Sequence, residues 1–202
     1  IDGDFDAHME LYKHALEQGN ILGADKIRLF SFFLPENEDP AQFKNLVLDR
    51  MGLIAETAKQ FGIKACHENE KGIYGDIASR CLDIHKTLPE LKCVFDPANF
   101  IQSGQDTKEA WEMLHNYVYY MHIKDALQGG KVVPAGKGEG NLPYLVREFL
   151  KQGGGIVTLE PHLKIFDGLA ALEADEKTDI DDFTYADNDA AFDAATAAIK
   201  EI

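Results

Sequence analysis

Cysteine, basic charge and long apolar runs are all scarce in this sequence, and each shortage removes a class of protein. Its three cysteines, Cys66, Cys81 and Cys93, form no CxxC pair. An odd number of widely spaced thiols is not a disulfide framework and fits a reducing compartment, so the cytoplasm is the expected location. Lysine and arginine total 20 against 35 aspartates and glutamates, a formal charge of −15. A field of that sign repels phosphate backbones and anionic bilayers, which are normally met by basic patches, so neither nucleic acid nor membrane is expected as a partner. No uninterrupted apolar run approaches the roughly 20 residues that cross a bilayer. The opening Ile1-Asp2-Gly3-Asp4 also lacks the basic-then-apolar order of an export signal.

What is present is an ordinary globular balance, 45% hydrophobic and 27% charged over 202 residues, enough to enclose a sizeable core. Helix-forming composition over residues 7 to 20 gives way to strand formers from Lys26 to Phe33, closed by Pro35. From Ala41 to Phe61 apolar residues recur at three and four positions, and Gly62 stands where a helix would stop. The cycle repeats: Ile63 to His67 as strand, Gly75 to Leu88 as helix, Leu91 to Phe95 as strand, Thr107 to Asn116 as helix. Val118 to Ile123 then precedes a glycine-rich loop and a helix from Leu142 to Lys151, and Gly155 to Leu159 is a fifth strand. Strands too apolar to have a wet face, alternating with helices, predict an α/β fold with a covered parallel sheet. The acidic stretch from Glu173 to Asp189 reads as a solvated excursion before an amphipathic helix, Ala190 to Ile202. With no linker in view, residues 1–202 are read as a single domain.

Four of the strands end in a residue able to bind metal: Glu68, Asp96, His122 and Glu160. In a parallel βα fold the C-terminal strand ends share one rim, so these side chains can meet. Three carboxylates and an imidazole make a hard, mostly oxygen site suited to Mn²⁺ first, with Mg²⁺, Co²⁺ or Zn²⁺ also compatible. The competing explanation is that each carboxylate caps the helix that follows it. That explanation weakens for the set, since crowded carboxylates repel one another without a cation.

His67-Glu68-Asn69-Glu70, Phe95-Asp96-Pro97-Ala98-Asn99-Phe100, His122-Ile123-Lys124-Asp125 and Leu159-Glu160-Pro161-His162-Leu163 resemble the successive strand-end motifs of xylose-isomerase-like TIM barrels. That superfamily contains sugar and sugar-phosphate isomerases, ketose 3-epimerases, inosose dehydratases and endonuclease IV. The resemblance implies that Glu68, Asp96, His122 and Glu160 hold one divalent ion, and that Glu68 and Glu160 also move the proton. It implies a metal-dependent isomerase or epimerase acting on a small sugar or sugar phosphate through an enediolate, with an inosose dehydratase-like lyase as the nearest alternative. An endonuclease IV-like hydrolase, opposed by the charge, and a non-catalytic carbohydrate-binding barrel are further alternatives. The pattern departs from ketose 3-epimerases at Asn99, where those enzymes carry histidine, and at Gln128, where they carry arginine. Substrate contacts are therefore assigned to Asn99, Lys124, Asp125 and His162.

Side-chain alternation turns His67 away from Glu68 and into packing. Gly136-Lys137-Gly138-Glu139-Gly140 lies near where many barrels bind phosphate through backbone amides, although a loop entering a helix at Asn141-Leu142-Pro143, with Asn141 as cap, explains it equally. Trp111, Tyr117, Tyr119 and Tyr120 are read as core, and His8, His14, His85 and His115 as facing solvent or caps. Matched to the superfamily, the five strands are the fourth to eighth of a barrel, lacking the first three βα units, roughly 80 residues. Five strands alone leave two open edges, so the chain is expected to be a part of a longer barrel, or completed by another chain in a homo-oligomer.

Overall fold

The computed structural model describes residues 1–164 and 185–202. Most of the acidic stretch read as a solvated excursion, residues 173–184, lies outside the described residues. Helix α1 (Phe5–Leu22) starts where the Asp4 carboxylate accepts from the Ala7 N–H. It stops at Gly23, whose φ of 74° lets its N–H reach back to the last turn. Strand β1 (Lys26–Leu29) follows, then a 3-10 turn (Pro40–Phe43) and helix α2 (Lys44–Gln60). The alternation continues with β2 (Lys64–Glu68), α3 (Ala78–Thr87), β3 (Lys92–Phe95), α4 (Pro97–Gln102), α5 (Thr107–Leu114) and β4 (Val118–Ile123). Among the described residues there are also a 3-10 turn (Tyr74–Asp76), the short strands β5 (Asp125–Ala126) and β6 (Val132–Val133), α6 (Leu142–Lys151), β7 (Val157–Leu159) and α7 (Asn188–Lys200).

Five strands pair in the order β1-β2-β3-β4-β7, all parallel, while β5 and β6 form a small antiparallel hairpin. The parallel sheet is a half-barrel, an α/β fold of the TIM-barrel kind. Period-two alternation divides each strand between two faces. In β1, Ile27 and Leu29 join Leu16, Val47, Met51 and Ile54 in the layer between sheet and helices. Arg28, in register with Cys66, takes the other face. A second helix-side layer gathers Phe95, Phe100, Met121, Leu145 and Phe149 around Trp111, which meets the Phe95 and Phe149 rings edge-on at 5.6 and 6.5 Å. Cys66, Val94 and Tyr120 pack together in a separate small cluster on the inner face. Trp111 and Tyr120 are buried as expected, whereas Tyr117 and Tyr119 are half-buried.

Three departures from the sequence expectations concern β1, α3 and His85. The first strand ends at Leu29 rather than Phe33, because Phe32 adopts a left-handed φ of 67° and the chain turns to bond the segment after β2. There the Leu34 N–H donates to Gly72, the Tyr74 N–H donates to Phe32, and the Ser31 hydroxyl accepts from the Gly75 N–H at 2.8 Å. The helix expected from Gly75 begins only at Ala78, since Ile77 is extended at φ −120°. His85, expected at solvent or a cap, is instead fully buried with its Nδ1 3.3 Å from the Leu91 carbonyl and its ring 5.5 Å from that of His67. His8 and His14 are exposed, and His115 caps α5.

Burial pushes the His85 imidazole down to about 4. A histidine whose folded value lies below the ordinary 6.5 binds fewer protons folded than unfolded between those values, so stability falls as pH drops through that window. The expected loss from this group is of the order of 3 kcal/mol by pH 4. Urea titrations between pH 7 and 4 should show that slope and a shallower one in His85→Phe; equal slopes would remove His85 as its source.

Candidate metal centre

The end of each strand is where the inner rim receives its polar residues. Glu68 is the last residue of β2, Asp96 follows β3, His122 is the penultimate residue of β4 and Glu160 follows β7. The parallel register brings them together: one donor atom from each of the four lies within 4.8 Å of the others. His122 Nδ1 stands 2.8 Å from Glu68 Oε1, 3.1 Å from Glu160 Oε2 and 3.6 Å from Asp96 Oδ2. Glu68, Asp96 and His122 are buried, while the Glu160 side chain is 27% exposed and forms the open side.

Asp96 caps the helix that follows it and still turns an oxygen toward the cluster. Its Oδ1 caps α4 by accepting from the Asn99 N–H at 3.0 Å, and its Oδ2 turns to His122 and to Lys124 Nζ at 3.2 Å. Asn69 clamps the same turn, donating to the Asp96 carbonyl and accepting from the Asp96 N–H, both at 2.9 Å. Neither His122 Nδ1 nor Asp96 Oδ2, both buried, has a properly directed hydrogen bond among the described residues. An imidazole nitrogen facing three carboxylate oxygens without a directed bond to any is an arrangement that one shared cation resolves. The donor set therefore fits a single hard divalent ion.

The ionisation of these groups follows from crowding. Burial raises the Glu68 carboxyl despite His122 beside it. Burial would also raise Asp96, yet Lys124, His122 and the Asn99 N–H hold it well below the usual carboxylate range. Glu160 is lowered, with His122 and Lys124 outweighing its burial. Burial alone would depress His122, but Asp96, Glu160 and Glu68 push it up to about 12, so the ion-free imidazole carries the positive charge that a metal would replace.

The residues assigned to substrate contact occupy different positions. Lys124 is buried against Asp96 and lies 3.8 Å from Glu160 Oε2. His162, held at a left-handed φ of 45°, has Nε2 4.0 Å from Glu160 Oε1, and burial followed by Lys124 keeps its imidazole below the ordinary value. Asn99 is buried and braces the site from behind, its Nδ2 reaching the Asn69 carbonyl at 2.9 Å, Glu70 Oε2 at 3.1 Å and Glu68 Oε1 at 3.4 Å. Asp125 turns away into the glycine-rich loop. Its carboxylate accepts from the backbone N–H groups of Ala126, Gly136, Gly138 and Gly140 at 2.8 to 3.0 Å. The amides read as a phosphate cradle thus hold this side chain, and a Cβ at Gly138 or Gly140 would collide with it. Asn141 sits at the cap position of α6 without a capping bond, its side chain going to Thr107 and Glu139.

Two site residues escaped the sequence reading. Arg28 places Nε 3.2 Å from Glu68 Oε2; the basic-apolar alternation of Lys26 to Leu29 was the available signal. Glu70, pushed up to about 7 by burial, sits beside Asn99. Its place in the motif around Glu68 was visible, but not that the turn after β2 would bring it back toward the site.

A family model described as the xylose isomerase-like TIM barrel matches residues 2–181. The chain belongs to that family. Among solved structures, this xylose isomerase-like chain resembles an IOLI protein with a bound zinc atom (TM-score 0.76, 14% identity, covering 99% of this chain and 71% of that one). It also resembles D-psicose 3-epimerase with D-tagatose from Clostridium cellulolyticum H10 (0.68, 17%, 95% and 68%). A third is the probable 3-DHS dehydratase AsbF from Bacillus anthracis (0.65, 18%, 79% and 65%). The chain spans about two thirds of the length of these structures, and at such identities the likeness speaks to the fold. No curated protein sequence matches it. No helix among the described residues is long and apolar enough to cross a membrane.

Asp125→Ala leaves the Ala126 N–H and three loop N–H groups, those of Gly136, Gly138 and Gly140, without their shared acceptor, and loss of such a charged, buried acceptor is expected to cost about 2–4 kcal/mol. Chemical denaturation should show that loss; a change below about 0.5 kcal/mol would mean the loop keeps its shape without the carboxylate.

Proposed function

We propose that this chain carries the metal centre of a sugar isomerase or epimerase, acting on a small sugar or sugar phosphate by moving a proton at the carbon beside a carbonyl. The observation that supports this most is geometric: two glutamates, Glu68 buried and Glu160 27% exposed, stand 2.8 and 3.1 Å from the same His122 Nδ1 within one donor cluster. Glu160, the more exposed of the two, is the base that removes the proton, and Glu68, on the closed side, is the group that returns one.

Glu68, Asp96, His122 and Glu160 would hold a divalent ion, with Mn²⁺ the first candidate; when bound it supplies Lewis-acid stabilisation of negative charge developing on substrate oxygens. Lys124 keeps Asp96 and Glu160 in their anionic forms and, with His162, borders the open side where substrate hydroxyls would lie. Buried Asn99 fixes Glu68 and Glu70 relative to each other, so it serves the substrate indirectly. Similarity to both an epimerase and a probable dehydratase supports proton abstraction as the shared step, because expulsion of a β-hydroxyl starts from the same anion.

Incubating ketoses, ketose phosphates and inososes with the Mn²⁺-loaded protein in D₂O should place deuterium at the carbon next to the carbonyl of the true substrate. A product lighter by one water would identify the lyase variant. Glu160→Gln, with its metal content measured on the same sample, should lower exchange by about 10²-fold or more. Full exchange by a metal-replete Glu160→Gln protein would overturn the role of that residue.

A further inference from the structure

Glu68 has two oxygens with separate surroundings. Oε1 faces His122 Nδ1 at 2.8 Å and Asn99 Nδ2 at 3.4 Å, toward the other donors, while Oε2 is 3.2 Å from Arg28 Nε. The pairing comes from strand register. Arg28 lies beside Cys66, and Glu68, two residues further along the neighbouring strand, projects on the same face. Arg28 is itself held, its guanidinium centred 4.5 Å above the Phe30 ring. Of the charged residues in β1, Lys26 is tied to Asp25 at the far end of the strand and Arg28 alone makes an ion pair with a donor of the cluster.

We infer that Arg28 is a positioning residue for the metal centre: by engaging Glu68 Oε2 it fixes the carboxylate plane so that Oε1 is presented to the ion. This inference rests on the metal-centre reading above. A guanidinium suits the task because it is planar, permanently charged and stacked, whereas an ammonium on a flexible stem keeps the charge and loses the fixed orientation. Without Arg28 the Glu68 carboxylate loses the partner of its second oxygen, and loss of such an outer partner typically weakens metal binding by about 10–100-fold.

The test is the Kd for Mn²⁺, read from the electron paramagnetic resonance of the free ion, in the 202-residue chain and in Arg28→Gln, Arg28→Lys and Lys26→Gln, with apo-protein unfolding curves for each. Arg28→Gln is expected to weaken binding about 10–100-fold, Arg28→Lys to recover part of it, and Lys26→Gln, which removes the same charge from the same strand, to leave it unchanged. Cooperative unfolding should persist in all of them. Wild-type affinity in Arg28→Gln, an equal loss in Lys26→Gln, or loss of cooperative unfolding in both Arg28 variants would each overturn the inference. Absence of Mn²⁺ binding by the wild-type chain would overturn the metal centre itself, and this inference with it.

Discussion

Three carboxylates held within a few ångströms of one another at a largely buried strand rim repel each other unless positive charge sits among them. Most of the inner rim can be read as a response to that constraint. His122 takes the central position, Lys124 buries its ammonium against Asp96, and Arg28 pairs with Glu68 from the neighbouring strand. The uncharged Asn69 and Asn99 lock the turns after β2 and β3 so that the carboxylates cannot swing apart to relieve the strain. The fold contributes the register: parallel strands end on one side, and the same alternation that sends Phe95 and Met121 into the helix layer leaves Asp96 and His122 on the rim.

The Asp125 loop solves a similar problem in the opposite sense. Backbone N–H groups of a glycine-rich segment form a cavity suited to an anion, and the chain fills it with its own carboxylate. The glycines at 138 and 140 are there because nothing larger fits against Asp125. The loop is fastened to its surroundings through Gln102 to Gly130 and Asn141 to Thr107. Its shape is therefore held by the same backbone amides that, in sequence, lay near where many barrels bind phosphate.

The strands and the four donors were legible because they repeat: four of the five apolar runs close on a residue able to bind metal, and a parallel sheet has one place for such residues to meet. Helix α6, with its strong apolar periodicity, has the limits read from sequence, Leu142 to Lys151. What was not legible depended on contacts between segments. Helix α4 is only six residues long and owes its start to Asp96, too short for periodicity to register. The hairpin of β5 and β6 has two residues in each strand. Burial of His85 follows from where α3 lies on the sheet, and the pairing of Arg28 with Glu68 follows from strand order; local pattern encodes neither.

Where a divalent ion binds decides whether this strand rim is a metal centre. Anomalous diffraction from crystals grown with Mn²⁺ locates it directly. The expected result is one strong peak within bonding distance of Glu68, Asp96, His122 Nδ1 and Glu160, with Lys124 displaced little. A site left without a peak at saturating Mn²⁺, or a peak bound by other residues, would contradict the central claim.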